Sequence, residues 1–296
     1  MSDSPKNEVD GVTGVETTGH EWDGIRELDN PMPKWWLYTF YACIIWSFAY
    51  WVVMPAWPYL STEGWTYTKG VIGYDQREVV ARELGAVAEG RADEMQQIAT
   101  LALEDIAADP ALMEVSLAAG KAAFGDNCAP CHGSGAQGSW GFPNLNDDVW
   151  LWGGTLDDIR TTLAHGIRWE ADDNTRQNVM MAYGRDGILT RREIADVAEF
   201  VLALSGRADD AEAATRGAEI FGEQCVTCHG ADGEGNRELG APNLTDAVWL
   251  YGGERASIIE SVSNGRSGVM PAWGGRLDAG TINALTLYVH SLGGGE

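Results

Sequence analysis

The sequence predicts a mainly α-helical protein: one membrane-spanning helix near the N-terminus, then two tandem copies of a single helical domain. Three observations predict it. No charged residue occurs from Trp35 to Leu60. Beyond residue 114 the chain repeats itself. Between these, residues 75–116 are rich in Ala, Glu, Leu and Arg with few turn residues, a helical signature.

Residues 1–34 are polar, acidic and rich in Gly, Asp and Pro, and read as a flexible tail. Residues 35–60 form the spanning segment. Its run WWLYTFYACIIWSFAYWVVM is long enough, as a helix, to cross a hydrocarbon core of about 30 Å. Trp35, Trp36 and Tyr38 crowd one end and Trp57, Tyr59 and Trp65 the other, the belt expected at the two lipid–water boundaries. The run lies too far into the chain, and ends too aromatically, for a cleaved signal peptide, so it reads as an anchor. Residues 61–113 are expected to be a helical linker. Within it Asp109-Pro110 is a helix start, with Asp as N-cap and Pro in the first turn, for a helix running through Ala111 to Phe124.

Residues 114–206 and 212–296 are the two domain copies, joined near Ser205 to Ala213. The first reads GKAAFGDNCAPCHG, FPNLNDDVWLWGG and NVMMAYG; the second reads GAEIFGEQCVTCHG, APNLTDAVWLYGG and GVMPAWG. Gly120 and Phe124, one turn apart before the first Cys pair, recur as Gly217 and Phe221. Phe200 and Tyr288 recur on the last helix of each copy. A small residue against an aromatic predicts a close helix crossing.

Each copy carries C-x-x-C-H: Cys128, Cys131 and His132, then Cys225, Cys228 and His229. This is the attachment signature of a c-type haem. Two thiols three positions apart reach the two vinyl groups of one porphyrin, and the adjoining imidazole falls beneath the iron. A thioredoxin-like dithiol belongs in a βαβ setting, for which no strand pattern appears. A shared zinc site is excluded by the distance in sequence between Cys131 and Cys225. The expected cofactors are therefore two covalently bound haem c. A second axial ligand is expected from Met270 in GVMPAWG and from Met180 in NVMMAYG, each read as serving the haem of its own copy. Met181 is the alternative to Met180. A Met/His pair fills both axial positions and raises the potential, which suits electron transfer rather than catalysis. Arg168 and Arg266 are read as matching positions, placed either to pair with haem propionates or simply on the surface.

The formal net charge of −24 argues against a nucleic-acid partner and fits either a basic protein partner drawn in by long-range attraction or an acidic surface that keeps the protein soluble. The fifth cysteine, Cys43, lies in the spanning run and is expected to pack there.

Both copies resemble class I cytochrome c domains. The order of a segment TGHEWDGIRELDNPMPKWW, one spanning helix and two haem domains with PNLxDxVWLxGG and HGIR resembles subunit III, the CcoP/FixP type, of cbb3-type cytochrome c oxidase. The family usually has Pro after the ligand Met, where this chain has Met181. The resemblance implies a non-catalytic electron-transfer subunit in a bacterial inner membrane, N-terminus cytoplasmic and haem domains periplasmic. It would accept electrons from a cytochrome c and pass them to the monohaem cytochrome subunit and then the catalytic subunit. A free-standing anchored dihaem shuttle and a dihaem peroxidase are the alternatives.

Overall fold

The computed structural model describes residues 8–295, and the chain forms two units, residues 1–88 and 89–296. In the first, β1 (Thr17–Trp22) and β2 (Ile25–Leu28) pair antiparallel across Asp23-Gly24. Both turn residues have positive φ, 50° and 83°, as a two-residue primed turn requires. The segment expected as a flexible tail thus holds a hairpin, and Arg26 ties it together through ion pairs to Glu8 and Glu21.

Helix α1 (Lys34–Val53) is apolar on every side and has no buried residue. At 1.5 Å per residue its 20 residues match the hydrocarbon thickness. It ends earlier than expected. Pro55 and Pro58 cannot donate in a continuing helix, and Met54 turns the chain to extended backbone. The remaining aromatics enter a second hairpin, β3 (Pro58–Ser61) with β4 (Gly64–Tyr67), where the end of the spanning helix and the start of a helical linker are expected from the sequence. Helix α2 (Gln76–Glu89) follows, with Asp75 Oδ1 accepting from the Arg77 and Glu78 N–H groups.

The second unit is helical: α3 (Ala92–Thr100), α4 (Leu103–Ala108), α5 (Pro110–Asn127), α6 (Ala129–His132), α7 (Leu156–His165), α8 (Arg191–Leu204), α9 (Ala211–Gln224), α10 (Val226–His229), α11 (Arg255–Asn264) and α12 (Ala279–Ser291). Helix α5 starts as expected: the Asp109 carboxylate accepts from Ala111 N–H and Leu112 N–H, and Pro110 opens the first turn. Thr190 and Glu193 close a capping box on α8.

Helix partnership does not follow the repeat boundaries. Helix α5, from the first copy, packs on α12, from the second; α8, from the first, packs on α9, from the second. One core joins Phe124, Ile159 and Leu163 to Ile282, Leu285 and Val289. A second joins Ile194, Val197 and Val201 to Phe221, Ile258 and Val262, and a third seats Ile98, Leu103, Ile106 and Leu112 against Ala284 and Leu287. Both crossings use the predicted glycines. A Cβ on Gly120 would meet Ala284 O at 2.3 Å, and one on Gly217 would meet Asp196 O at 2.0 Å. The aromatics fill the adjacent space: Phe124 against Tyr288, and Phe221 against Phe200. The two cytochrome-like bodies have thus exchanged their last helices. Asn283, buried on α12, secures its end of the exchange by donating to Ile98 O and accepting from Arg160 Nε.

Two candidate haem pockets

Each C-x-x-C-H lies in a tight turn at the end of a helix. In the first, the N–H groups of Cys131 and His132 both donate to Cys128 O, at 3.1 and 2.9 Å; in the second, those of Cys228 and His229 donate to Cys225 O, at 3.2 and 3.0 Å. Spacings of three and four residues bring both thiols and the imidazole to one face. Burial and the neighbouring cysteine push the Cys128 and Cys225 thiols up to about 11. They are poor thiolates, suited to neutral thioethers rather than to dithiol redox work.

Each imidazole is oriented by one bond. His132 Nδ1 donates to Pro143 O and His229 Nδ1 to Pro242 O, both at 3.1 Å. A carbonyl only accepts, so Nδ1 carries the proton and Nε2 keeps the lone pair that a metal needs. Burial lowers both imidazoles below their ordinary value, the Pro carbonyls opposing it in part, which favours the neutral, ligating form.

The methionines are exchanged along with the helices. Met270 lines the cavity that also holds Cys128, His132, Leu145, Trp150 and Ile159. Met180 packs against the second core, with Phe221, Cys225, Leu244 and Trp249. The pairing expected within each copy is therefore corrected: Met270 faces the pocket of His132, and Met180 that of Cys225 and His229. Met181 is 51% exposed and is not brought to either pocket. Two isolated backbone bridges explain the placement. Ile167 exchanges two backbone hydrogen bonds with Met270, and Arg266 exchanges two with Met180. The preceding glycines make room, since a Cβ on Gly166 (φ +69°) or Gly265 (φ +70°) would lie 2.4 Å from Met270 O or 2.3 Å from Met180 O. Each copy thus clasps the methionine of the other. Ile167 also occupies the place of Arg266, so Arg168 and Arg266 are not equivalent. Arg168 spends its Nε on Gly268 O and its Nη1 on Asn178 O, both at 2.6 Å.

Between the pockets two aromatics reach across. The buried Trp152 borders the first cavity and sits so close to Gly240 that a Cβ there would meet its ring at 2.2 Å. Tyr251, its repeat partner, lies on Gly141, whose N–H donates to Leu250 O at 3.0 Å. Gly240 and Gly141 each stand two residues before the proline whose carbonyl accepts the histidine hydrogen bond. The guanidinium of Arg176 lies over Trp152 and that of Arg266 over Tyr251.

The residues present fit haem. The first cavity is partly open to solvent, and its walls are mostly apolar. An imidazole Nε2, a thioether and a buried thiol converge on it. Arg176 Nε and Arg266 Nη2 are buried without a hydrogen-bond partner among the described residues, and Glu260 Oε1, 3.7 Å from the latter, is beyond hydrogen-bond reach. Such donors suit the two carboxylates that a haem brings.

Two C-x-x-C-H turns in helical pockets, behind a single apolar anchor, define a membrane-anchored dihaem cytochrome c whose work is electron transfer. Residues 14–61 match the family model for the N-terminal domain of cytochrome oxidase-cbb3, FixP. Residues 117–205 match that for cytochrome c, and residues 212–289 that for cytochrome c oxidase, cbb3-type, subunit III. The chain is 55% identical to the cbb3-type cytochrome c oxidase subunit FixP of Azorhizobium caulinodans, over 97% of this chain and 96% of that one. It is 50% identical to the subunit CcoP of Azospirillum brasilense, over 98% and 99%, and 49% identical to FixP of Rhizobium meliloti over the full length of both. The chain belongs to the FixP/CcoP family of cbb3-type cytochrome c oxidase subunits. It carries two covalently bound haem c and is an electron-transfer subunit, not a catalytic one.

Proposed function

We propose that Cys128 and Cys131 hold one haem and Cys225 and Cys228 the other, with His132 and Met270 as axial ligands of the first and His229 and Met180 as those of the second. The observation that carries this reading is Met270 in the wall of the cavity that holds Cys128 and His132. Bound haem supplies an iron that takes up and gives back one electron. The chain does the rest. His132 and His229 are held in one tautomer by Pro143 and Pro242. Ile167 and Arg266 fix the methionine backbones, and Trp152 and Tyr251 each pack on the glycine that precedes the other pocket's proline. With haem bound, the imidazole and the thioether would hold the iron from its two sides, an arrangement that suits electron transfer rather than peroxide chemistry.

The chain serves a cbb3-type oxidase in a bacterial inner membrane, residues 8–33 cytoplasmic and the haem domains periplasmic. It receives electrons from a basic cytochrome c and passes them to the monohaem subunit, and from there to the catalytic subunit. Purification in mild detergent tests the assembly: recovery of the chain alone would favour a free-standing shuttle. Redox titration tests the ligands. Met270→His lowers the potential of one haem, and that haem is the one abolished by Cys128→Ala with Cys131→Ala. If Met270→His instead moves the haem held by Cys225 and Cys228, the exchanged assignment fails.

A further inference from the structure

The end of the anchor helix is closed by the chain that follows it. Val71 N–H donates to Val52 O at 3.0 Å and Ile72 N–H to Val53 O at 3.4 Å, satisfying carbonyls that a helix terminus leaves open. Gly70 (φ +67°) is pressed against that terminus, where a Cβ would meet Val53 O at 2.2 Å. The intervening hairpin is fastened at its root. Thr68 N–H donates to Trp57 O at 2.9 Å, Thr68 Oγ1 accepts from Trp57 N–H, and the Trp57 ring stands edge-on to Trp51 at 5.0 Å. The β3–β4 hairpin is therefore a rigid extension of α1.

Its register sorts the side chains. Pro58 lies opposite Tyr67, Tyr59 opposite Thr66, Leu60 opposite Trp65 and Ser61 opposite Gly64. Opposed residues share a face and successive residues alternate. One face is Pro58, Leu60, Trp65 and Tyr67; the other is Tyr59, Ser61, Gly64 and Thr66. On the first, Leu60 is 69% exposed, Trp65 77% and Tyr67 61%. An isolated two-stranded hairpin is marginal in water and needs cover for an apolar face. This one emerges where a spanning helix leaves the hydrocarbon, and its face carries no charge. Glu63 stands at the tip and Lys69 just past the root.

We propose that the β3–β4 hairpin is a lipid-docking foot, lying in the headgroup–acyl boundary with Pro58, Leu60, Trp65 and Tyr67 toward the lipid. The inference rests on reading Lys34–Val53 as the anchor. Trp and Tyr suit that layer because each has an apolar ring and a polar edge. Without a cationic cluster, the attraction is burial of apolar surface, so it needs no anionic lipid and resists salt. The foot fixes the height and rotation of the helix end.

The test uses the full haem-loaded chain with Cys43→Ala, in phosphatidylcholine vesicles. The motif cysteines are consumed as thioethers, so single nitroxide labels go on Leu60→Cys, Thr66→Cys or Trp46→Cys. Power-saturation EPR then compares oxygen, which concentrates in lipid, with a water-soluble nickel chelate. The label at position 60 is expected to show an oxygen-to-nickel ratio several-fold above that at position 66, unchanged by added salt. Equal, water-like ratios at 60 and 66 with a lipid-like ratio at 46 overturn the foot and leave the anchor. A water-like ratio at 46 overturns the anchor itself. A label at 60 shielded from both reagents means that protein covers the face, and also overturns the proposal.

Discussion

Two glycines carry more of this protein's chemistry than their size suggests. Gly166 and Gly265 each adopt positive φ and each lie against the carbonyl of a methionine from the other copy. Gly265→Ala must accept a left-handed backbone, at about 1–2 kcal/mol, and must also push Met180 away. The expected outcome is loss of the methionine-ligated low-spin signal at the haem of Cys225 and Cys228 alone, read by EPR or near-infrared magnetic circular dichroism. An equal loss at the other haem would refute the clasp. Gly166→Ala is expected to act on the opposite haem through Met270. Gly240→Ala tests the contact between pockets: its Cβ collides with Trp152, and the thermal midpoint is expected to fall with overpacking of roughly 1–3 kcal/mol.

At the scale of elements, α8 is bound to its neighbours by two carboxylates. Asp196 is paired with Arg216 at 2.9 and 2.7 Å, and the hydrogen bonds from that guanidinium hold it below the ordinary carboxylate value. Burial pushes Glu199 up, but Arg255 and the N–H groups of Asp209 and Asp210 outweigh it, and its value too is lowered. Depressed values mean that the fold binds these protons less readily than the unfolded chain does. Their contribution to stability is complete above the ordinary carboxylate range of about 4, and is lost as pH falls through the folded values. Thermal unfolding against pH is expected to steepen there, and Glu199→Gln is expected to flatten the slope while lowering stability at neutral pH.

The same elements show what the sequence could reveal. The spanning run, both C-x-x-C-H turns, the Asp109 cap and the Gly–aromatic crossings are local patterns, and the structure contains each of them. The partnership of the crossings is not local. Gly120 finds an aromatic one copy away as readily as in its own, because a repeat supplies the same contact twice. The signal that was available is loop length. Residues 205–210 alone separate α8 from α9, and so short a joint makes sequential helices neighbours. The first hairpin was also written in the chain, as Asp23-Gly24 between Trp22 and Ile25, though the acidic composition around it suggested a tail. The extra methionine at 181 leaves two adjacent candidates in sequence; in the fold Met180 packs against the core that holds Cys225, whereas Met181 is half exposed.

Across the whole molecule, charge and exchange have separate consequences. With a net charge of −24, the rate of electron uptake from a basic cytochrome c is expected to fall as ionic strength rises. Stopped-flow rates that ignore salt would remove charge from the docking account. Removal of residues 268–296 takes away Met270 and α12, which serve the pocket of Cys128 and His132, and leaves Met180, α8 and α9 in place. The expected outcome is a high-spin iron at the more N-terminal attachment site and an intact low-spin one at the other. Met270→Ala, which keeps α12, is expected to reproduce the spectrum without the loss of packing.

The trade of final helices also orders the birth of the protein. As the polypeptide emerges, the earlier attachment motif appears long before Met270 and α12, which close its pocket and come a whole copy later. The later motif appears when its methionine and its partner helix are already waiting. The half that begins first is thus finished after the other, and a chain halted before Met270 holds one sealed chamber and one open.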